Sequence, residues 1–234
     1  MSAEEGPPPR GPATAWSNRL RAAVMGANDG IVSTAALTVG IAAAATTRDP
    51  VVLTAVAGLI AGGSSMAVGE YVSVSSARDA QHADLARERR AHERAPESEL
   101  EELVGLFEAR GVSSATARAV ATELTEADAL EAHAREELGI TEELAARPIE
   151  AAATSAASFA TGGAVPVLAV LFAPIGAMVP TIAVATLLAL VVLGLVSAAA
   201  AGADRRRAVI RILVGATLAM IVTLAGSHLL GIEL

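Results

Sequence analysis

Long apolar runs dominate this chain and leave few folds open to it. Five stretches reach or approach the roughly 20 residues that an α-helix needs to cross the hydrocarbon core of a bilayer. They cover about 22–46, 51–77, 151–173, 177–201 and 208–230. The mean hydropathy is +0.52, and the 53% of residues that are hydrophobic form continuous runs instead of amphipathic patterns. We therefore predict an all-α, polytopic membrane protein with five transmembrane helices.

One acidic block interrupts these runs. Residues 78–147 contain 17 acidic and 9 basic residues, an excess equal to the net charge of −8 of the whole chain. Three of the four histidines also lie there. The sequence predicts a helical insert between spans 2 and 3, and four regions in all. These are a disordered, proline-rich tail at 1–18, transmembrane helices 1 and 2 at 19–77, an acidic helical metal-binding domain at 78–147, and transmembrane helices 3 to 5 at 148–234.

The arginines predict on which side of the membrane this block lies. All 17 basic residues are arginine, and five spans place the two termini on opposite sides. With the N-terminus in the cytoplasm, Arg48 alone would lie outside, in agreement with the positive-inside rule. We therefore expect the N-terminus and 78–147 to be cytoplasmic and the C-terminus to be outside. The absence of lysine and the abundance of alanine favour a bacterial plasma membrane.

Within the block, the helix boundaries follow from proline, glycine and serine. No glycine or proline occurs between Tyr71 and Pro96, so helix 2 is expected to continue out of the membrane as far as Pro96. Further helices are expected at 97–110, from Ser113 or Ser114 to about 124, and at 126–138. The predicted core residues of this domain are Leu100, Leu103, Leu106, Phe107, Val120, Leu124, Leu130 and Leu138.

Candidate metal ligands share helix faces in the block. Side chains three or four residues apart on a helix lie one above the other and can converge on one ion. Helical bundles hold iron or manganese with carboxylates and histidines from facing helices. The chain has no cysteine, so oxygen and nitrogen ligands would favour hard or borderline divalent ions. Each glutamate by itself is equally compatible with a solvated surface. The excess of acidic over basic residues in the block favours a metal site. The candidates at these spacings are Glu88, His92, Glu99, Glu102, His133, Glu136 and Glu137.

A second set of candidates lies inside the predicted spans. Asp29 comes eight residues after Arg21, roughly 12 Å along a helix. An ionised aspartate at the bilayer centre costs roughly 2.5–3.5 kcal/mol, and such residues usually line an ion or proton path. The alternative is a protonated Asp29 in an interhelical hydrogen bond. Met66 and Glu70 share a face of span 2 and are expected at the depth of Asn28 and Asp29. A thioether beside carboxylates suits a borderline ion such as Fe²⁺.

Three segments carry a family resemblance: Asn28-Asp29-Gly30, the run SMAVGEYVSVSS at 65–76, and EELGI at 136–140. Together they resemble the vacuolar iron transporter family, over essentially the whole chain after about Asn18. The resemblance implies a homodimeric exporter of Fe²⁺, and also of Mn²⁺, from the cytosol in exchange for protons. It further implies that a cytoplasmic helical domain collects the metal.

The resemblance also implies roles for individual residues. Asp29 and Met66 match the family's membrane aspartate and methionine, and His133 stands where plant members carry a methionine. Gly58 stands where those members carry a membrane glutamate, and Glu70, where they carry glycine, is the candidate replacement. Ala91 stands where those members carry a glutamate of the insert. The residues that look like the family's insert glutamates are Glu88, Glu99, Glu102 and Glu137.

Three functions are compatible with these features. The favoured one is an outward transporter of a divalent metal, Fe²⁺ or else Mn²⁺ or Zn²⁺, with no permanently bound cofactor. The second is a membrane-anchored iron sensor, store or ferroxidase-like protein that binds metal without transporting it, and the third is a purely structural membrane protein. Asp29 inside a span favours transport. No nucleophile–histidine pair, phosphate loop or nucleic-acid patch occurs, so we predict neither an enzyme nor a nucleic-acid partner. The expected partners are divalent metal ions, protons, the lipid bilayer and a second copy of the chain.

Overall fold

The helices of this chain account for nearly all of its described residues. A computed structural model describes the backbone at 13–141 and 146–229 and the side chains at 20–43, 45–141 and 146–218. These residues form seven α-helices and a short 3-10 turn at Ile175–Ala177, and they contain no strand. The all-α fold is thus confirmed. The helices are α1 (Ala13–Ala44), α2 (Asp49–Arg94), α3 (Pro96–Ala109), α4 (Ser114–Glu136), α5 (Pro148–Phe172), α6 (Met178–Ala201) and α7 (Arg205–Leu229).

Four helical segments among the described residues are long and apolar enough to cross a membrane. They are Leu20–Ala43, Asp49–Arg94, Pro148–Phe172 and Ile175–Ala201, and they overlap the first four predicted spans. The fifth predicted span, 208–230, coincides with α7 but reaches past the described side chains, so it stays a prediction.

The beginning of α1 differs from our expectation. We predicted a disordered tail through residue 18, but α1 begins at Ala13. Pro12 stands directly before the first helical residue, in the region where proline is tolerated because the first helical amides have no partner inside the helix. The rest of the predicted tail, 1–12, lies outside the described residues.

The chain folds as two compact units. The apolar unit comprises Met1–Tyr71 and Ile149–Leu234, and the acidic unit comprises Val72–Pro148. Helix α2 belongs to both, because it runs without a break from Asp49 to Arg94. Its end just before Pro96 is the one predicted from the absence of earlier glycine and proline.

In the apolar unit, glycines bring α1, α2 and α5 close together. A Cβ atom at Gly30 would collide with the backbone carbonyl of Phe159, and one at Gly162 would collide with that of Ala27. The ring of Phe159, only 2% exposed, lies against Gly62 of α2. Lipid provides no hydrophobic force between helices, so this close van der Waals packing is a main source of cohesion.

Arg48 fastens the α1–α2 connection to the end of α5. Its guanidinium donates hydrogen bonds to the backbone carbonyls of Leu171 and Ala173, at 2.8 and 2.5 Å. The last carbonyls of a helix have no partner within the helix. Arg48 therefore has a structural role at the end that we expect to lie outside, which explains the exception in the arginine distribution.

The core of the acidic unit forms between α3 and α4. Its buried members are Leu103, Val104, Ala117, Ala121 and Ala132, with Leu100, Leu106, Phe107, Val112 and Leu124 packed around them. The prediction that Val120 belongs to this core is wrong, since its side chain is 36% exposed. The alanines at 117 and 121 define the buried face of α4, and Val120 lies at the edge of that face.

The predicted break between two helices near residue 125 occurs at Asp128 instead. Helix α4 runs from Ser114 to Glu136, with φ −161° and ψ 102° at Asp128. The Asp128 carboxylate accepts a hydrogen bond from the Glu131 amide at 2.9 Å, as an N-cap residue does. The second part of α4, which carries His133, is therefore capped separately.

Candidate metal site

Three helices of the acidic unit bring four of the predicted ligands together. Glu88 and His92 lie one turn apart on α2, Glu99 is in the first turn of α3, and His133 is in the last turns of α4. One donor atom from each of these residues lies within 4.8 Å of the others. Two carboxylates and two imidazoles thus surround one point.

The carboxylate of Glu88 lies between the two imidazoles. Its Oε1 atom is 3.1 Å from Nδ1 of His133 and 3.6 Å from Nε2 of His92. Nδ1 of His133 is also 3.1 Å from Oε2 of Glu137, with which it shares a hydrogen bond. The two rings meet edge to face, with centroids 4.5 Å apart and planes at 85°. Nδ1 of His133 thus lies next to two carboxylates, those of Glu88 and Glu137.

Several donor atoms of this cluster are buried without a hydrogen bond among the described residues. They are Oε1 of Glu88 and the Nε2 atoms of His92 and His133. His133 is fully buried and Glu88 is 9% exposed. A buried polar group left without a partner costs about 1–3 kcal/mol. A cation held where the four residues converge would give unpaired donors of this cluster a partner.

Burial shifts the pKa values of Glu88 and His92. It is the largest factor raising the pKa of Glu88, and the negative charges of Glu137, Glu99 and Glu102 raise it further, while His133 opposes the shift. Burial also lowers the pKa of His92, assisted by His133 and opposed by Glu99 and Glu137. His92 is therefore neutral at pH 7, with a free lone pair, and a bound cation would favour the ionised form of Glu88.

The other predicted ligands lie further from this point. Glu102 is exposed and acts on Glu88 through its charge. Glu136 forms an ion pair with Arg110, whose guanidinium also donates to the Glu136 backbone carbonyl at 2.9 Å. Sequence analysis did not identify Arg110, because helix periodicity reveals only neighbours three or four residues away.

The membrane candidates on α1 are not joined to those on α2 by a polar contact in the described part of the chain. Asn28 lines a cleft between α1 and α7, whereas Asp29 is exposed. Met66 and Glu70 on α2 are half-buried. No hydrogen bond or ion pair between described residues connects the α1 pair to the α2 pair, so their meeting at one depth stays a prediction.

Comparison with known proteins identifies a matching family model and several related proteins. A family model described as the VIT family matches residues 20–227. The chain is 43% identical over 212 residues to "Vacuolar iron transporter" of Acanthamoeba castellanii, covering 88% of this chain and 76% of that protein. It is 38% identical over 215 residues to "Vacuolar iron transporter homolog 1" of Oryza sativa subsp. japonica, covering 92% and 75%. It is 34% identical over 217 residues to "Vacuolar iron transporter homolog 2" of Arabidopsis thaliana, covering 92% and 86%.

Proposed function

The chain belongs to the VIT family, and on that basis we propose that it is a membrane transporter that moves Fe²⁺ out of the cytosol in exchange for protons. Mn²⁺ and Zn²⁺ are further candidate substrates. The acidic unit captures the ion at the cytoplasmic surface, and the apolar unit carries it across. The membrane is the plasma membrane of a bacterium.

The observation that carries this proposal is the convergence of Glu88, His92, Glu99 and His133 within 4.8 Å. Solvated surface glutamates have no reason to gather around one buried and one partly buried imidazole. Imidazole suits Fe²⁺ and Zn²⁺, whereas Mg²⁺ and Ca²⁺ prefer all-oxygen surroundings. The donor set therefore supports a borderline transition metal as the ion.

The proposed path through the membrane uses Asn28, Asp29, Met66 and Glu70. Protonation of the Asp29 and Glu70 carboxylates as the ion leaves would supply the coupling to protons. Asp29 is exposed in the single protomer, and a carboxylate facing lipid near the bilayer centre would cost roughly 2.5–3.5 kcal/mol. A homodimer in which a second copy covers Asp29 removes that cost.

The test is metal flux in proteoliposomes, measured with Fe²⁺, Mn²⁺ and Zn²⁺ and with a pH gradient imposed or collapsed. We expect flux of Fe²⁺ that falls when the gradient is collapsed. Asp29→Asn should abolish flux and leave the metal affinity of the full-length protein unchanged. Asp79→Asn, which removes an exposed carboxylate outside the proposed path, is the matched control and should transport normally.

Two outcomes would contradict the proposal. Wild-type flux in Asp29→Asn would remove Asp29 from the path. Tight metal binding with no flux of any ion in the wild-type protein would support a membrane-anchored sensor or store instead.

A further inference from the structure

The apolar unit contains a cleft that shares only Asn28 with the proposed transport path. It has a volume of about 340 Å³ and lies between one face of α1, from Arg21 to Asn28, and one face of α7, from Arg211 to Ala216. Both guanidiniums are exposed. No carboxylate among the described residues forms an ion pair with either, so the cleft presents two uncompensated positive charges.

The chemistry of the cleft changes along its length. The two arginines stand at one end, and Val24, Met25 and Ile212 form apolar walls. Asn28 lies seven residues beyond Arg21, roughly 10 Å along the helix. Ala216, which also lines the cleft, packs into the buried cluster with Ile31 and Leu190. The cleft is thus cationic at its mouth, apolar along its walls and amide-lined at its inner end.

The cleft has open space beside Gly215 of α7. A Cβ atom built on Gly215 would meet no atom within 4 Å among the described residues, so α7 leaves open space at this position, beside Ala216. An occupant could lie against the α7 backbone here. The absence of a side chain gives room for an elongated, apolar group below the two arginines.

We propose that this cleft binds an anionic phospholipid of the surrounding bilayer. Arg21 and Arg211 hold the phosphate, since guanidinium groups match phosphate oxygens in paired hydrogen bonds. The acyl chain lies along Gly215 between the apolar walls, and the Asn28 amide donates to an ester carbonyl of the lipid. Basic pockets between membrane helices are known to select such headgroups. The bound lipid would connect α1 to α7, and it would do so whether or not the protein transports metal.

The test uses the full-length protein in a neutral detergent, with native mass spectrometry and the thermal unfolding midpoint as readouts. Phosphatidylglycerol, phosphatidylcholine and inorganic phosphate are added separately. Each arginine near an anionic headgroup contributes about fivefold in affinity, so phosphatidylglycerol should bind about 25-fold more tightly than phosphatidylcholine. It should also raise the unfolding midpoint, whereas inorganic phosphate should do neither.

Two kinds of variant test separately whether lipid binding depends on the arginine charges and on the open volume beside Gly215. Arg21→Gln with Arg211→Gln should remove the preference for phosphatidylglycerol, while Arg206→Gln, an exposed arginine of α7 outside the cleft, should keep it. Gly215→Leu should block lipid binding with both arginines intact. Gly40→Leu is its control, since Gly40 on α1 also faces open space.

Equal binding of phosphatidylcholine, or binding of inorganic phosphate as tight as that of phosphatidylglycerol, would overturn the proposal. Unchanged lipid binding by Gly215→Leu would overturn it as well. If the double arginine variant does not fold, Arg211→Lys provides the measurement, because it retains the charge and removes the paired hydrogen bonds. It should bind phosphatidylglycerol more weakly than wild type, and wild-type affinity there would contradict the role of Arg211.

Discussion

His133 has a fully buried imidazole in which one nitrogen has a hydrogen-bond partner and the other has none within the described part of the chain. Its Nδ1 shares a hydrogen bond with Glu137, while Nε2 has no partner among the described residues. Metal-ligating histidines characteristically donate their second ring nitrogen to a carboxylate, which orients the ring and increases its basicity. In the proposed site Glu137 has this supporting role and His133 is a direct ligand.

Replacing His133 should therefore weaken metal binding more than replacing an exposed histidine. We expect His133→Ala to lower Zn²⁺ affinity by at least about 100-fold, because loss of even a supporting partner costs 10- to 100-fold. His82→Ala, at an exposed position of α2, should bind as the wild type does. Isothermal titration calorimetry on the full-length protein measures both.

A second variant tests the same role of His133 through a ratio of two metal affinities, which does not depend on whether His133→Ala folds normally. His133→Glu substitutes a carboxylate, which suits Mn²⁺ better than imidazole does, and should reduce the preference for Zn²⁺ over Mn²⁺. An unchanged ratio of the two affinities would show that His133 does not contact the ion.

Glu88 gives the metal-free protein a pH dependence of known sign. Its pKa in the folded protein is raised above the ordinary value of 4.5, mainly by burial. The stability that this group contributes is therefore fully present below about pH 4.5 and is lost as the pH rises through the raised pKa. Above the raised pKa the ionised carboxylate destabilises the folded, metal-free protein.

Glu88→Gln should accordingly raise the thermal unfolding midpoint of the metal-free protein at pH 7, and the difference from wild type should shrink toward pH 4. Zn²⁺ should stabilise the wild type strongly and the variant weakly, because the variant lacks the carboxylate ligand. A lower midpoint for metal-free Glu88→Gln at pH 7 would show that ionised Glu88 is stabilising, contrary to this expectation.

At the scale of helices, the contact between α1 and α5 depends on glycine. Gly30 lies so close to the Phe159 carbonyl that no Cβ atom fits without movement of the backbone. Side-chain adjustment cannot relieve this clash, in contrast to a contact with the end of a flexible side chain.

Gly30→Ala should therefore destabilise the protein by about 1–3 kcal/mol, the usual cost of overpacking. Gly40→Ala, on the same helix but facing open space, should be neutral or stabilise the helix by up to about 1 kcal/mol through its higher helix propensity. Unfolding midpoints in detergent distinguish the two. Equal effects would mean that helix propensity, and not the contact with α5, determines the response.

Helix boundaries were largely predictable, because they depend on neighbouring residues. Pro96 begins α3, and the Ser113 hydroxyl accepts a hydrogen bond from the Thr116 amide at the start of α4. The capping of the second part of α4 by Asp128 was missed, since an aspartate within a helix-forming run is common and its cap forms only when the chain bends there. Arg48 was missed for a related reason, since its partners are 123 and 125 residues away.

At the scale of the whole molecule, the positions of the two units across the membrane can be tested directly. The chain has no cysteine, so single cysteines can be introduced without background. Ser98→Cys places one at an exposed position of the acidic unit, and Gly176→Cys places one in the exposed turn between α5 and α6.

In intact cells, a membrane-impermeant maleimide should label Gly176→Cys and leave Ser98→Cys unmodified until the membrane is permeabilised. This pattern follows from the positive-inside arrangement. Labelling of Ser98→Cys from outside would reverse the proposed topology and place metal capture on the outer side.

The sequence by itself determined that this protein is helical, which apolar segments can cross a membrane, and which residue types are available to bind a metal. Hydropathy and the spacing of side chains on a helix are local properties, so they can be read without knowing what each helix contacts. Only the tertiary structure decided that Glu88, His92, Glu99 and His133 meet at one point, while Glu136 pairs with Arg110. That choice depends on how α2 lies beside α3 and α4, which pack together around Leu103 and its neighbours. Packing between distant segments cannot be read from the spacing of residues along the sequence.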